Sequence, residues 1–183
     1  MINNQQLTTH NQQNAFTLLE VLIYIGVLVI IMSTISSYLI WSIQSSTKIK
    51  VMTETLDNAR RAMETIVYEI REAESVYVST SVFDSHPGQL SLETTKYIPT
   101  DESKTYIDFY VSNGRLCLKK ESQNPICLTS DRVEIANLFF SQIDTANFPS
   151  IQIDLSIDYK NPTGRSEYQS QVNLRSVVSL RSY

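Results

Sequence analysis

Apolar residues run almost unbroken from Phe16 to Ile43, recur every three or four positions as far as Ala73, and then alternate with polar residues toward the C-terminus. The first regime is the densest. Of the 28 residues from Phe16 to Ile43, 20 are apolar, about 71 %, against about 37 % in the remaining 155. Between Val21 and Thr47 there is no Asp, Glu, Lys or Arg. About 20 apolar residues in a helix rising ~1.5 Å per residue cross the hydrocarbon of a bilayer, and Tyr38 and Trp41 suit its interfacial end. The run is too long for an ordinary buried helix. It is also longer than the core of a secretory signal, which would follow a basic segment, whereas residues 1–15 contain no Lys or Arg.

The second regime is an amphipathic helix. Ile49, Met52, Leu56, Ala59, Met63, Ile66, Ile70 and Ala73 mark one stripe, and Glu54, Asp57, Arg60, Arg61, Glu64, Glu69, Arg71 and Glu72 the opposite face. No Gly or Pro interrupts Val27–Phe83, so one helix is predicted from about Phe16 to Glu74, with Gly26 and the Ser33, Thr34, Ser36, Ser37 cluster as places where it could bend. The stripe could serve a coiled coil. Packing against a sheet is the preferred reading, because strand-type sequence follows at once.

In the third regime the period falls to two. Val76–Phe83 and Gln89–Thr94 read as strands, and Tyr106–Val111 with Leu116–Glu121 as a hairpin around a two-residue Asn113-Gly114 turn. That turn pairs Val111 with Leu116, Phe109 with Leu118 and Asp108 with Lys119. Further strands are expected at Ile126–Ser130, Val133–Asp144, Ser150–Tyr159 and Ser170–Tyr183. The fold class is therefore α+β: a long N-terminal helix, its hydrophobic half protruding and its amphipathic half covering a head of six or seven antiparallel strands.

Composition adds exclusions. A chain of 183 residues and 20.9 kDa holds one domain and an appendage. Its net charge of −4 argues against a nucleic-acid binder. Its mean hydropathy of −0.14 conceals the segregated span. Cys117 and Cys127 fall opposite each other if the chain turns near Glu121–Gln123, so they form either a cross-strand disulfide or two free thiols. His10 and His86 are too few and too far apart to complete a metal site. There is no phosphate loop, metalloprotease motif, nucleophile elbow or Cys-x-x-Cys. Asp101, Glu102, Asp154 and Asp158 read as loop or strand-surface residues, and Tyr77, Tyr106, Tyr110 and Tyr159 as sheet packing. No catalytic residue, cofactor, metal or small-molecule substrate is expected.

One residue does not fit the apolar run. Glu20 lies a turn inside it, where an unpaired carboxylate costs a few kcal/mol. The surrounding residues, Ala15-Phe16-Thr17-Leu18-Leu19-Glu20 followed directly by the apolar helix, resemble the N-terminal signal of prepilins and pseudopilins. Those are the subunits of type IV pili, type II secretion systems and competence pili. The resemblance departs from the family pattern in two places: Ala15 stands where Gly is usual, and the leader lacks basic residues.

The resemblance implies that a membrane prepilin peptidase cuts after Ala15 and methylates the new amine of Phe16. It implies that Thr17, Leu18 and Leu19 complete the motif, and that Glu20 pairs with the N-terminal amine of a neighbouring subunit. The implied partners are other major and minor pilins or pseudopilins, an inner-membrane assembly platform and the cytoplasmic membrane. The implied division is a leader at 1–15, a filament-core half-helix at 16–43, an amphipathic half at 44–74 and a head at 75–183. Length and layout resemble the J-type or W-type minor subunits. The rival reading is a single-pass signal anchor carrying an extracytoplasmic binding domain that is never assembled.

Overall fold

The computed structural model describes residues 17–180 apart from 97, 99, 101, 146 and 147, without the side chains of 144, 145 and 148. Among the described residues there is one α-helix, α1 (Leu18–Glu72), 55 residues long. Two compact units divide within α1, residues 1–43 and 44–183.

In the first unit every large apolar side chain from Leu18 to Ile43 is exposed. Such a surface is stable only against lipid or against other apolar helices. Two hydroxyls of this stretch close onto their own backbone: Thr34 Oγ1 donates to Ile31 O at 2.8 Å and Ser37 Oγ to Ser33 O at 2.9 Å. This satisfies them without water, and the helix continues through them.

The second unit holds two antiparallel sheets, where the alternation pattern had suggested one. The first runs β1 (Ser75–Val76), β2 (Leu90–Thr94), β3 (Thr105–Ser112), β4 (Arg115–Lys120) and β5 (Ile126–Cys127) in that order. The second runs β6 (Val133–Thr145), β7 (Phe148–Tyr159) and β8 (Gln171–Ser179). The β3–β4 hairpin has the predicted register, with Asp108 opposite Lys119, Phe109 opposite Leu118 and Val111 opposite Leu116. Asn113 and Gly114 at its turn both have positive φ, 51° and 72°, which suits a type I′ turn. Val76–Phe83, read as a strand, pairs only at Ser75–Val76 and at a single bridge between Val82 and Gln89.

In β6 a bulge between Ile135 and Asn137 changes which residues face inward. Val133 and Ile135 are buried before it, and Leu138 and Phe140 after it. They meet Ile151, Ile153, Leu155 and Ile157 of β7 in one core, which also holds Phe109, Leu90 and Leu92 of the first sheet. The helix contributes Ala59, Ala62, Met63, Ile66 and Ile70 to the same core, and Ala73 joins them just beyond its end.

The stripe read from the sequence matches this face from Ala59 onward and departs from it earlier. Ile49 and Met52 are exposed, and the buried residues are Val51, Thr55 and Asn58. The polar members are satisfied. Thr55 Oγ1 donates to Val51 O, while Asn58 Nδ2 donates to Glu54 O and its Oδ1 accepts from Ser130 N at 2.9 Å. Glu69, assigned to the solvent face, is also buried and pairs with Lys120 of β4 at 3.0 Å.

Candidate functional site

The site built around Glu20 lies at the start of α1. A helix leaves its first backbone N–H groups without intrahelical acceptors. Thr17 supplies two, since Glu20 N donates to Thr17 O at 3.0 Å and lies 3.3 Å from Thr17 Oγ1. Thr17 therefore caps the helix, and the signal for it in the sequence is the spacing Thr-x-x-Glu, which hydrophobic periodicity does not register. Leu18 and Leu19 are 85 % and 69 % exposed.

Glu20 is half-buried within its own chain. Its position in the first turn suits the positive end of the helix dipole. Its carboxylate Oε1 accepts a hydrogen bond from the phenolic hydroxyl of Tyr24, one turn on, at 3.0 Å. The 21–47 segment supplies no cation, so any cationic partner must come from the chain's own N-terminal region or from another molecule. Ala15 and Phe16, the residues expected to flank the cut, lie outside the described residues, as do the leader, His10 and Asp101.

Residues 10–36 match the family described as the prokaryotic N-terminal methylation motif. The chain carries a prepilin-type methylation signal. That match spans Ala15 to Glu20 and the first part of the apolar helix. The motif belongs to structural, pilin-type subunits, not to an enzyme family. The order of elements, one long N-terminal helix followed by antiparallel sheets, is likewise pilin-like. Neither the curated proteins nor the solved structures yield a match to this chain.

The other residues singled out in the sequence lie in the second unit. Cys117 and Cys127 sit opposite each other on β4 and β5 and are joined by a disulfide. Asp154 is half-buried on β7, in an ion pair with Arg175 and a hydrogen bond from Gln152 Nε2. Burial pushes its carboxyl up, but the hydrogen bonds from Arg175 and Gln152 outweigh it and hold the group below its ordinary value. Asp158 is half-buried with one carboxylate oxygen enclosed. Tyr77 packs against Tyr106, and Tyr159 against Tyr168.

His86 accepts a hydrogen bond from Leu138 N at its Nδ1. It belongs to a loop that lies along β6 through Asp84 N to Phe140 O and Gly88 N to Leu138 O, both 2.9 Å. Among the described residues no cluster of His, Cys, Asp or Glu is arranged to hold a metal ion.

Proposed function

We propose that the chain is a pilin- or pseudopilin-type structural subunit, cut after Ala15 by a prepilin peptidase and N-methylated at Phe16. It then passes from the cytoplasmic membrane into a filament. The observation that carries this reading is the methylation motif at 10–36, which includes the start of an exposed apolar stretch of helix, 18–43, whose one charge is Glu20. Cleavage would create an ammonium four residues before a carboxylate that has no cationic partner in its own helix. In a low-dielectric assembly each of these charges needs the other. Pairing Glu20 of an incoming subunit with the Phe16 amine of its neighbour would neutralise both and set the register between helices. Exposed apolar side chains from Leu18 to Ile43 would exchange lipid for neighbouring helices at little cost, since both surroundings are apolar.

The remaining partners follow from this role: other major and minor pilins or pseudopilins, and an assembly platform in the inner membrane. Length and layout support reading the chain as a minor subunit of the J-type or W-type kind, and the Cys117–Cys127 disulfide supports a head on the extracytoplasmic side, where such a bond persists.

Mass spectrometry of the chain recovered from its native membrane tests the processing step. A mature N-terminus at methylated Phe16 is expected, and an intact Met1 would defeat the proposal in favour of a permanent anchor. Glu20→Ala is expected to be processed normally and left out of the filament, and normal incorporation would remove Glu20 from its role.

A further inference from the structure

We infer that Tyr24 is a positioning residue for assembly: its hydroxyl holds Oε1 of Glu20 and leaves Oε2 directed to a cation of a second subunit. The inference rests on the assembly role proposed for Glu20 and adds a residue to it. An ionised carboxylate offers about four lone-pair sites, and a single ammonium satisfies only part of them. In apolar surroundings the attraction between the two charges offsets their lost hydration only when further hydrogen bonds satisfy the rest. Among the described residues the donor to the Glu20 side chain is Tyr24, at 3.0 Å, and Oε2 has no partner.

The requirement is mutual. Tyr24 stands in the charge-free segment and is 57 % exposed to whatever surrounds the helix. A phenol O–H facing lipid or a neighbouring helix without an acceptor is itself costly. Residues i and i+4 share a helix face, and side chains lean toward the N-terminus, so the ring of Tyr24 reaches back onto the carboxylate. The contact fixes the Glu20 side chain against its own helix before any partner arrives. A partner then meets a carboxylate already oriented, with less rotamer freedom left to lose.

The test uses the full chain in its native membrane with the assembly machinery present, and reads the fraction recovered in sheared filaments relative to the processed membrane pool. Tyr24→Phe removes one oxygen and keeps the ring. It is expected to lower incorporation about tenfold, the loss of one hydrogen bond to a charged group, with cleavage at Ala15 unchanged. Tyr24→Gln, which returns a donor at the same spacing, is expected to recover most of that loss. Tyr38→Phe, the same deletion farther along the helix, is expected to have no effect.

Tyr24→Phe incorporating like the parent chain would overturn the inference. So would a Tyr24→Gln variant as poor as Tyr24→Phe, because a donor returned at the same spacing would then fail to restore what the hydroxyl supplied. Glu20→Ala distinguishes the two levels. If it fails to assemble while Tyr24→Phe assembles normally, only this inference falls; if it assembles normally, the assembly role of Glu20 falls first.

Discussion

Lys120→Met is the most informative single change in the head, because it breaks an ion pair that ties the helix to the sheet. Glu69 of α1 and Lys120 of β4 meet at 3.0 Å, with side chains 7 % and 21 % exposed. Removing the lysine leaves a carboxylate enclosed without its cation. Breaking a buried pair from one side costs about 3–5 kcal/mol. Because the Lys120 side chain retains a fifth of its exposure, water reaches the site and screens the charge, and a value below that range is appropriate, about 2–3 kcal/mol. For a unit of this size that lowers the melting temperature by roughly 5–10 °C. The assay is thermal unfolding of the full chain in detergent micelles, followed by the near-ultraviolet circular dichroism of the head tyrosines. The double variant Glu69→Leu/Lys120→Met supplies the decisive comparison. Replacing both charges with apolar groups is often nearly neutral, so it is expected to melt within a few degrees of the parent. A single variant as stable as the parent, or a double variant less stable than the single, would refute the reasoning.

Other outcomes follow from the same structure. Lys104 donates to Glu93 and forms an ion pair with it, and this hydrogen bond holds the Glu93 carboxyl below its ordinary value. A depressed folded value contributes stability that is full above the unfolded value and is lost as pH falls through the folded one. Lys104→Ala is therefore expected to give a shallower acid limb in a plot of urea midpoint against pH, and an unchanged slope below about pH 5 would count against the pair. The Cys117–Cys127 disulfide closes a short loop, with a sequence separation of 10; its removal by Cys117→Ser/Cys127→Ser is expected to cost roughly 2–3 kcal/mol in urea denaturation. Gly88→Ala would place a Cβ 2.9 Å from Leu138 O and 3.1 Å from Phe140 Cδ2. It is expected to destabilise the head by about 1–3 kcal/mol and to speed proteolysis of the loop between Phe83 and Gln89.

What could be read from the sequence divides by how local its cause is. The β3–β4 hairpin was legible residue by residue because the Asn113-Gly114 turn fixes its register from within. Val76–Phe83 alternates like a strand, yet it follows β2 only as far as Tyr77, whose N–H donates to Ser91 O, and Ser81 Oγ then donates back to Tyr77 O. Alternation reports propensity and says nothing of whether a partner strand is within reach. Asn58 shows the same limit on the helix. A polar residue enters the core there because the acceptor it offers is needed by Ser130, 72 positions away. Division of the strands into two sheets is non-local in the same sense. The bulge in β6, by contrast, was written in the order of residues: Val133 and Ile135 are followed by Leu138 and Phe140, a shift of one in an otherwise two-residue period.

The site at Glu20 was legible for the opposite reason to the head. A protein folding alone buries its apolar residues, and the first unit leaves its large ones from Leu18 to Ile43 exposed. Its stability must therefore come from other molecules, and the features that select those molecules cannot be erased by intrachain packing. A single carboxylate before 27 residues without charge is such a feature. Thr17 and Tyr24 were within reach of the same logic, at three residues before and four after Glu20, because helix geometry alone brings those positions together. Their role needed the coordinates, which show the Thr17 oxygens engaged by the Glu20 amide and the Tyr24 hydroxyl engaged by its carboxylate. The helix start thus settles its own polar groups but leaves Oε2 of Glu20 without a described partner, and that open valence, set in an apolar surface, is what a second subunit can recognise.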